Sequence, residues 1–351
     1  MKFYIGRFLK LILLNFILFA TLLLFLEIIY RSLKGQERIY RNDNELGWAP
    51  KENVILSGKI KKSLNGRHYK SNYSTNSLGI RSLQNKYGEK NNSNNKPLKL
   101  LVIGDSFTGD NHASNEDSWF GVLQKFSEGS FTVYAYGIGG SGTSQQYRAF
   151  TKLQSFIRPD ILLIQYCVND PLNDSFEYGK RSIIRNQDLR RPYYKNGEFY
   201  FREDLKSKLY RLLYKSYLFQ KVDLIITNLQ FKIFNDYIPK SLSSNDVENI
   251  LNHWEYVFTN YVQFARATGI NNIWTISCAP SIINENAPYI SRWEEVSEKL
   301  NVKVFHSFSS KPYSAHLSGK DIFFEDGNHL NDIGNEIAGE ALYQEISDYL
   351  K

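Results

Sequence analysis

Hydrophobic and polar positions divide the chain into unlike stretches. Residues 11–26 are sixteen consecutive uncharged positions, and apolar character resumes at 28–30. A bilayer crossing takes about 20 apolar residues at 1.5 Å rise each. Lys10 and Glu27 stand at the two ends, where long side chains can reach the interface. The stretch therefore predicts a membrane-spanning helix within residues 1–30. A cleaved signal peptide would have a shorter apolar region and an Ala-x-Ala-like site; none follows Leu26, which favours an uncleaved anchor. Residues 31–84 are polar with scattered aromatics, and 85–97 have no periodicity and almost no apolar content. Together, 31–97 read as a membrane-proximal segment ending in an exposed linker.

From residue 98 the rhythm changes to short apolar runs alternating with helical periodicity. Strands are predicted at 98–103, 131–136, 161–168, 272–278 and 302–305. Helices are predicted at 119–126, 145–156, 247–268, 289–300 and 333–350, with Pro288 placed where a proline can open a helix. Such alternation points to parallel βαβ units, an α/β sheet covered on both faces, over residues 98–351. The region about 175–245 interrupts it. Between Lys180 and Lys240 there are 14 Lys and Arg against 6 Asp and Glu, with 12 Tyr and Phe. It reads as an inserted helical subdomain with a solvated basic face, or as a lid or platform that meets a membrane surface or an anionic polymer.

Composition sharpens some of these readings. A net charge of +7 suggests an anionic surface or partner. Nucleic acid is not indicated, since zinc-finger spacing, an RRM signature and basic heptads are all missing from the sequence. Lys2, Arg7 and Lys10 precede the apolar stretch while Arg31, Lys34, Arg38 and Arg41 come after it, so charge gives no vote on orientation. The chain beyond the anchor is expected on the extracytoplasmic side (periplasm or cell surface), as N-terminal signal anchors often export the domain they precede. Cys167 and Cys278 end apolar strand-like runs and read as buried thiols, with a disulfide left open.

Candidate chemistry begins at Ser106, just past the first predicted strand in Gly104-Asp105-Ser106-Phe107. In an open α/β sheet, ligands bind outside the carboxyl ends of the strands, and a serine opening a helix there presents both its hydroxyl and a backbone N–H. A serine nucleophile needs a base and an orienter. Of six histidines, only His329 has a carboxylate at triad spacing, Asp326, across a Gly-Asn turn. Metal ligation by the same pair lacks further candidates at recognisable spacing, and no cofactor is expected. Gly140, in the glycine block after the second strand, and Asn169, ending the third, are candidate oxyanion donors beside the Ser106 N–H. Gly137, Gly139 and Gly142 also fit a dinucleotide fingerprint. The acidic residue that fold needs at the next strand end is misplaced: Asp160 precedes the strand. The Gly-x-Ser-x-Gly elbow is absent too, since Thr108 replaces its second glycine.

Gly104-Asp105-Ser106-Phe107, then the glycine block, then Asn169-Asp170, then Asp326-x-x-His329 resembles the SGNH (GDSL-like) hydrolase superfamily in order and spacing. The segment Asn76-Ser-Leu-Gly-Ile-Arg81, with Leu46-Gly-Trp-Ala-Pro before it, is similar to the upstream region of membrane-anchored bacterial members. The resemblance implies a flavodoxin-like three-layer α/β/α sandwich. It implies Ser106 as nucleophile, His329 as base, Asp326 as its partner, and Gly140 and Asn169 as oxyanion donors. Ala135 stands where many members carry Asn, and the basic insertion after Asn169 exceeds that of minimal members, so substrate does not carry over. The expectation is a membrane-anchored esterase or O-acyltransferase on acyl (acetyl) esters of surface polysaccharide, with a membrane O-acyltransferase as a possible partner. A lipase or lysophospholipase acting on lipid, and a non-catalytic glycan-binding protein on the same fold, are the alternatives.

Overall fold

Leu100, Leu101, Val102 and Ile103 are all buried, as a strand covered on both faces must be. The computed structural model describes residues 2–34, 38–83, 96–109, 112–179, 187–234, 242–278 and 287–351; most of the expected linker lies outside them. Helix α1 (Lys2–Lys34) is followed by four short strands, β1 (Tyr40–Asp43), β2 (Gly47–Pro50), β3 (Ile55–Lys62) and β4 (His68–Ser74). These pair as two antiparallel ribbons. Next come β5 (Leu98–Gly104), α2 (Ser106–Gly109), α3 (Trp119–Phe126), β6 (Phe131–Gly137), α4 (Thr143–Ile157), β7 (Ile161–Tyr166) and α5 (Asp170–Asp174). A ribbon of β8 (Tyr193–Lys195) and β9 (Glu198–Tyr200) precedes α6 (Leu205–Leu213) and α7 (Tyr217–Phe234). The chain then runs through α8 (Ser244–Ala267), β10 (Asn272–Ser277), α9 (Ala287–Lys299), β11 (Lys303–Phe305), α10 (Ser307–Leu317) and α11 (Asp332–Leu350).

The central sheet has the order β11-β10-β7-β5-β6 and is parallel throughout. Numbered by appearance this is 2-1-3-4-5, the flavodoxin-like doubly wound order. Alternate side chains feed two cores. Leu101, Ile103, Leu162 and Ile164 face Phe150, Trp254, Tyr261 and Trp293 from α4, α8 and α9. Leu100, Val102, Ile161 and Leu163 face Trp119, Leu123, Phe308 and Leu342 from α3, α10 and α11. Each such aliphatic side chain contributes about 1.5–3 kcal/mol on burial, so three layers are the stable arrangement.

Two compact units divide the chain: Ile39–Glu203 with Ile238–Lys351, and Met1–Arg38 with Asp204–Tyr237. Two sequence expectations change here. Residues from 39 to 83 belong with the sheet, because Leu46, Trp48, Ala49 and Ile80 join its core and Arg81 bridges to Ala135 on β6. The stretch read as an insertion also splits. Arg191, Tyr193 and Tyr194 are buried in the sheet unit, and only Asp204–Tyr237 leaves it. In the other unit, one helix among the described residues, spanning Lys10–Leu33, is long and apolar enough to cross a membrane.

Asp332, at the start of α11, sits in a half-buried spot. Burial, with Asp117 nearby and Arg67 only partly offsetting, pushes its carboxyl up to about 7. A raised folded-state carboxyl retains a proton that the unfolded chain releases, so its contribution to stability falls as pH rises from about 4 to about 7. Asp332→Asn should flatten that fall. Melting temperatures across pH 4.5–8 test it: a loss with pH as steep as the parent's would contradict the assignment.

Candidate active site

The carboxyl edge of the sheet gathers the predicted residues. Ser106 lies two residues past the end of β5, and strand register pairs Gly104 with Gly137 and Ile103 with Ile164. Gly140 and Asn169 therefore leave the same edge from the two strands flanking β5. The Asp105 carboxylate accepts the Phe107 N–H at 3.1 Å, and its carbonyl accepts the N–H groups of Thr108 and Gly109. This fixes the turn that starts α2. A Cβ on Gly137 would stand 2.1 Å from the Gly109 nitrogen, so backbone packs on backbone where the serine is held.

Ser106 Oγ lies 2.9 Å from His329 Nε2, and His329 Nδ1 lies 2.8 Å from Asp326 Oδ2. The other Asp326 oxygen accepts the N–H groups of Asn328 and His329, both at 2.9 Å, and the Phe324 N–H donates to the His329 carbonyl. Partial burial alone would raise the Asp326 carboxyl. Its hydrogen bond to His329, the imidazole's charge and the two backbone N–H groups outweigh that and hold it well below the usual carboxylate range. An anionic Asp326 keeps the Nδ1 proton on His329 and leaves Nε2 to accept one from Ser106.

The imidazole is gripped by rings. Phe107 lies 5.0 Å from it, and His112 stacks on it at 4.5 Å and 15°, with His112 Nε2 3.7 Å from Asp326 Oδ2. His112, Asp326 and His329 form a group of possible metal ligands. The stacking argues against ligation: an imidazole binds metal in its ring plane at about 2.0–2.1 Å, and two nearly parallel planes do not meet there.

The glycine loop is buttressed from outside the sheet. The Tyr40 oxygen accepts the Gly139 N–H at 2.8 Å, and Trp48 Nε1 donates to the Gly139 carbonyl at 3.1 Å. Gly140 takes a left-handed backbone (φ 70°). Its carbonyl is held by the Asn173 amide and the buried Arg191 guanidinium, at 3.4 and 3.3 Å. Asn169 precedes Asp170, whose carboxylate accepts the Cys167 N–H. Complete burial near Asp105 and Asp174 pushes the Asp170 carboxyl well up. Cys167 and Cys278 are both buried free thiols on neighbouring strand ends.

Three residues of the site escape sequence reasoning. His112 is one of six histidines and has no motif around it, six residues past Ser106. Arg81 donates to Asn115 Oδ1 and to the carbonyls of Thr108 and Ala113, tying α2 to the residues that follow His112. Arg191 reads in the sequence as part of a basic surface. For Arg81 a signal is present, as the last residue of the Asn76–Arg81 block, but it carries no job with it.

A narrow pocket opens at Ser106, walled by Phe107, Ala113, Trp119, Leu330 and Arg81, with a free volume of about 20 Å³. That is room for about one water-sized group.

No protein-family model and no curated protein matches the chain. Among solved structures it is similar to the psychrotrophic esterase EstA from Pseudoalteromonas sp., at 14% identity over 72% of this chain and 98% of that one, with a TM-score of 0.43. The acetyl xylan esterase AlAXEase matches at 14% identity over 71% and 100%, TM-score 0.43. A G-D-S-L family protein from Desulfitobacterium hafniense, described as lipolytic, matches at 13% over 70% and 98%, TM-score 0.39. Those identities are low, and what marks this chain chemically is its own bonded row of Ser106, His329 and Asp326.

Proposed function

We propose that the chain is a membrane-anchored ester hydrolase or acyltransferase of the SGNH type, acting on short acyl esters of surface carbohydrate. The observation that carries this reading is the unbroken row from Ser106 Oγ through His329 to Asp326, with bonds of 2.9 and 2.8 Å. Ser106 attacks the ester carbonyl as His329 Nε2 takes its proton, and Asp326 stabilises the imidazolium that results. His329 then returns the proton to the departing alcohol. The Ser106 N–H, Gly140 and Asn169 supply donors for the oxyanion. Water, or a sugar hydroxyl in the transferase version, releases the acyl group by the reverse steps.

The narrow pocket beside Ser106 suits a small acyl group such as acetyl. A second cleft, lined by Asn53, Asn72 and Ser82 together with Ile55, Ile80 and Leu83, runs beside residues 114–117. Amide and hydroxyl side chains of that kind suit a hydroxyl-rich substrate. Each methylene that finds no place lowers reactivity by about 1–3 kcal/mol. With purified full-length protein, p-nitrophenyl acetate should be turned over at least about tenfold more efficiently than the octanoate. Equal or faster octanoate turnover would overturn the short-acyl assignment.

A further inference from the structure

Glu27 is the one acid in the apolar span, and the unit formed by Met1–Arg38 with Asp204–Tyr237 shows what it meets. Its carboxylate accepts the N–H groups of Tyr217 and Leu218, at 2.9 and 2.8 Å, and the Ser216 hydroxyl at 2.8 Å. Those are unpaired donors at the start of α7, and an anion there completes the helix end. Arg31 bonds Glu27 and the Lys215 carbonyl, Arg38 bonds the Tyr217 carbonyl, and both guanidinium groups lie over the Tyr217 ring. The spanning helix and the helical pair are thereby fastened together. Glu27 lies about 25 Å along α1 from Lys10 at 1.5 Å per residue, close to the far edge of a hydrocarbon core about 30 Å thick.

From that fastening point runs an amphipathic helix. Leu205, Leu209 and Leu212 in α6 follow i, i+4, i+7 spacing and are 81%, 50% and 61% exposed. Lys206 and Lys208 flank the stripe and are exposed, as are Lys215 and Lys221 beyond it. Val222, Ile225 and Ile226 continue the apolar exposure along α7. A leucine stripe bordered by lysines, tied to a membrane-spanning helix at its interfacial end, has the form of a helix lying in the headgroup region.

We propose that α6 and the start of α7 form a second membrane contact, lying in the interface of the bilayer that α1 crosses. The leucines enter the acyl region and the lysines meet anionic headgroups. This rests on the membrane-anchor reading. Full-length protein carrying one environment-sensitive fluorophore is reconstituted in phosphatidylcholine–phosphatidylglycerol vesicles containing bromine-labelled acyl chains. Labels at Leu18→Cys, which reports the anchor, and at Leu209→Cys or Leu212→Cys should all be quenched. The last two should lose at least half of their quenching when Lys206, Lys208 and Lys215 are changed to Glu. Quenching at 18 with none at 209 and 212 would overturn the interfacial helix while leaving the anchor, and would point to a protein partner for the stripe. No quenching at 18 would remove the anchor reading itself, and with it this proposal.

Discussion

Ser106→Ala should lower p-nitrophenyl acetate hydrolysis by about 10⁴-fold or more, because removing one member of a triad removes the concerted proton transfer as a whole. His329→Ala should cost about as much, and the double variant little more than either, since Oγ and Nε2 act as one device 2.9 Å apart. Ser106 is only partly buried, and the change deletes one oxygen, so the melting temperature should stay within a few degrees of the parent's. A variant folded to that standard and retaining more than a tenth of the parent rate would remove Ser106 from the chemistry. A serine-reactive phosphonate gives an independent reading: it should label the parent and leave Ser106→Ala unlabelled.

Gly137→Ala should be the most damaging single methyl addition at the site. The new Cβ would meet the Gly109 nitrogen at 2.1 Å, the Gly109 Cα at 2.4 Å and the Thr108 carbonyl carbon at 2.5 Å. All three are backbone atoms, so no side chain can swing away. The cost should reach about 3 kcal/mol or more, roughly 10 °C in melting temperature for a unit of this size. Activity should fall further than stability alone explains, because the strand end and the turn carrying Ser106 must separate. A melting temperature within 2 °C of the parent's would show that the two backbones are not in contact.

The legible parts of the sequence are the periodic ones. β5, β7 and β10 can be read as strands because both faces of each are covered, leaving continuous apolar runs. Ser106, Asp326 and His329 can be found because a triad needs particular residue types at strand ends and turns, and His329 alone has its carboxylate at hand. The roles of Arg81, His112 and Arg191 are not legible. Each acts on groups brought near only by folding, as Arg191 does on Gly140 from 51 positions away. The residues between α1 and β5 hide for a related reason. Their ribbons are short, with β3 alternating between exposed and half-buried positions, while single residues such as Trp48 and Ile80 carry the core contacts. The alternation in β4 runs through Tyr, Ser, Lys and Asn, so it marks no aliphatic face in the sequence.

The contact of Tyr40 with Gly139 also sets a limit on how far the chain can be shortened. A fragment begun at Leu98, where the alternating pattern starts, would discard the phenol that holds the glycine loop, the Trp48 indole beside it and the Arg81 bond to Thr108 in α2. Begun at Ile39, it would keep all three and lose α1 and Arg38, leaving the donors of Tyr217 and Leu218 to water. A fragment that keeps the candidate site's supports therefore starts some sixty residues before β5.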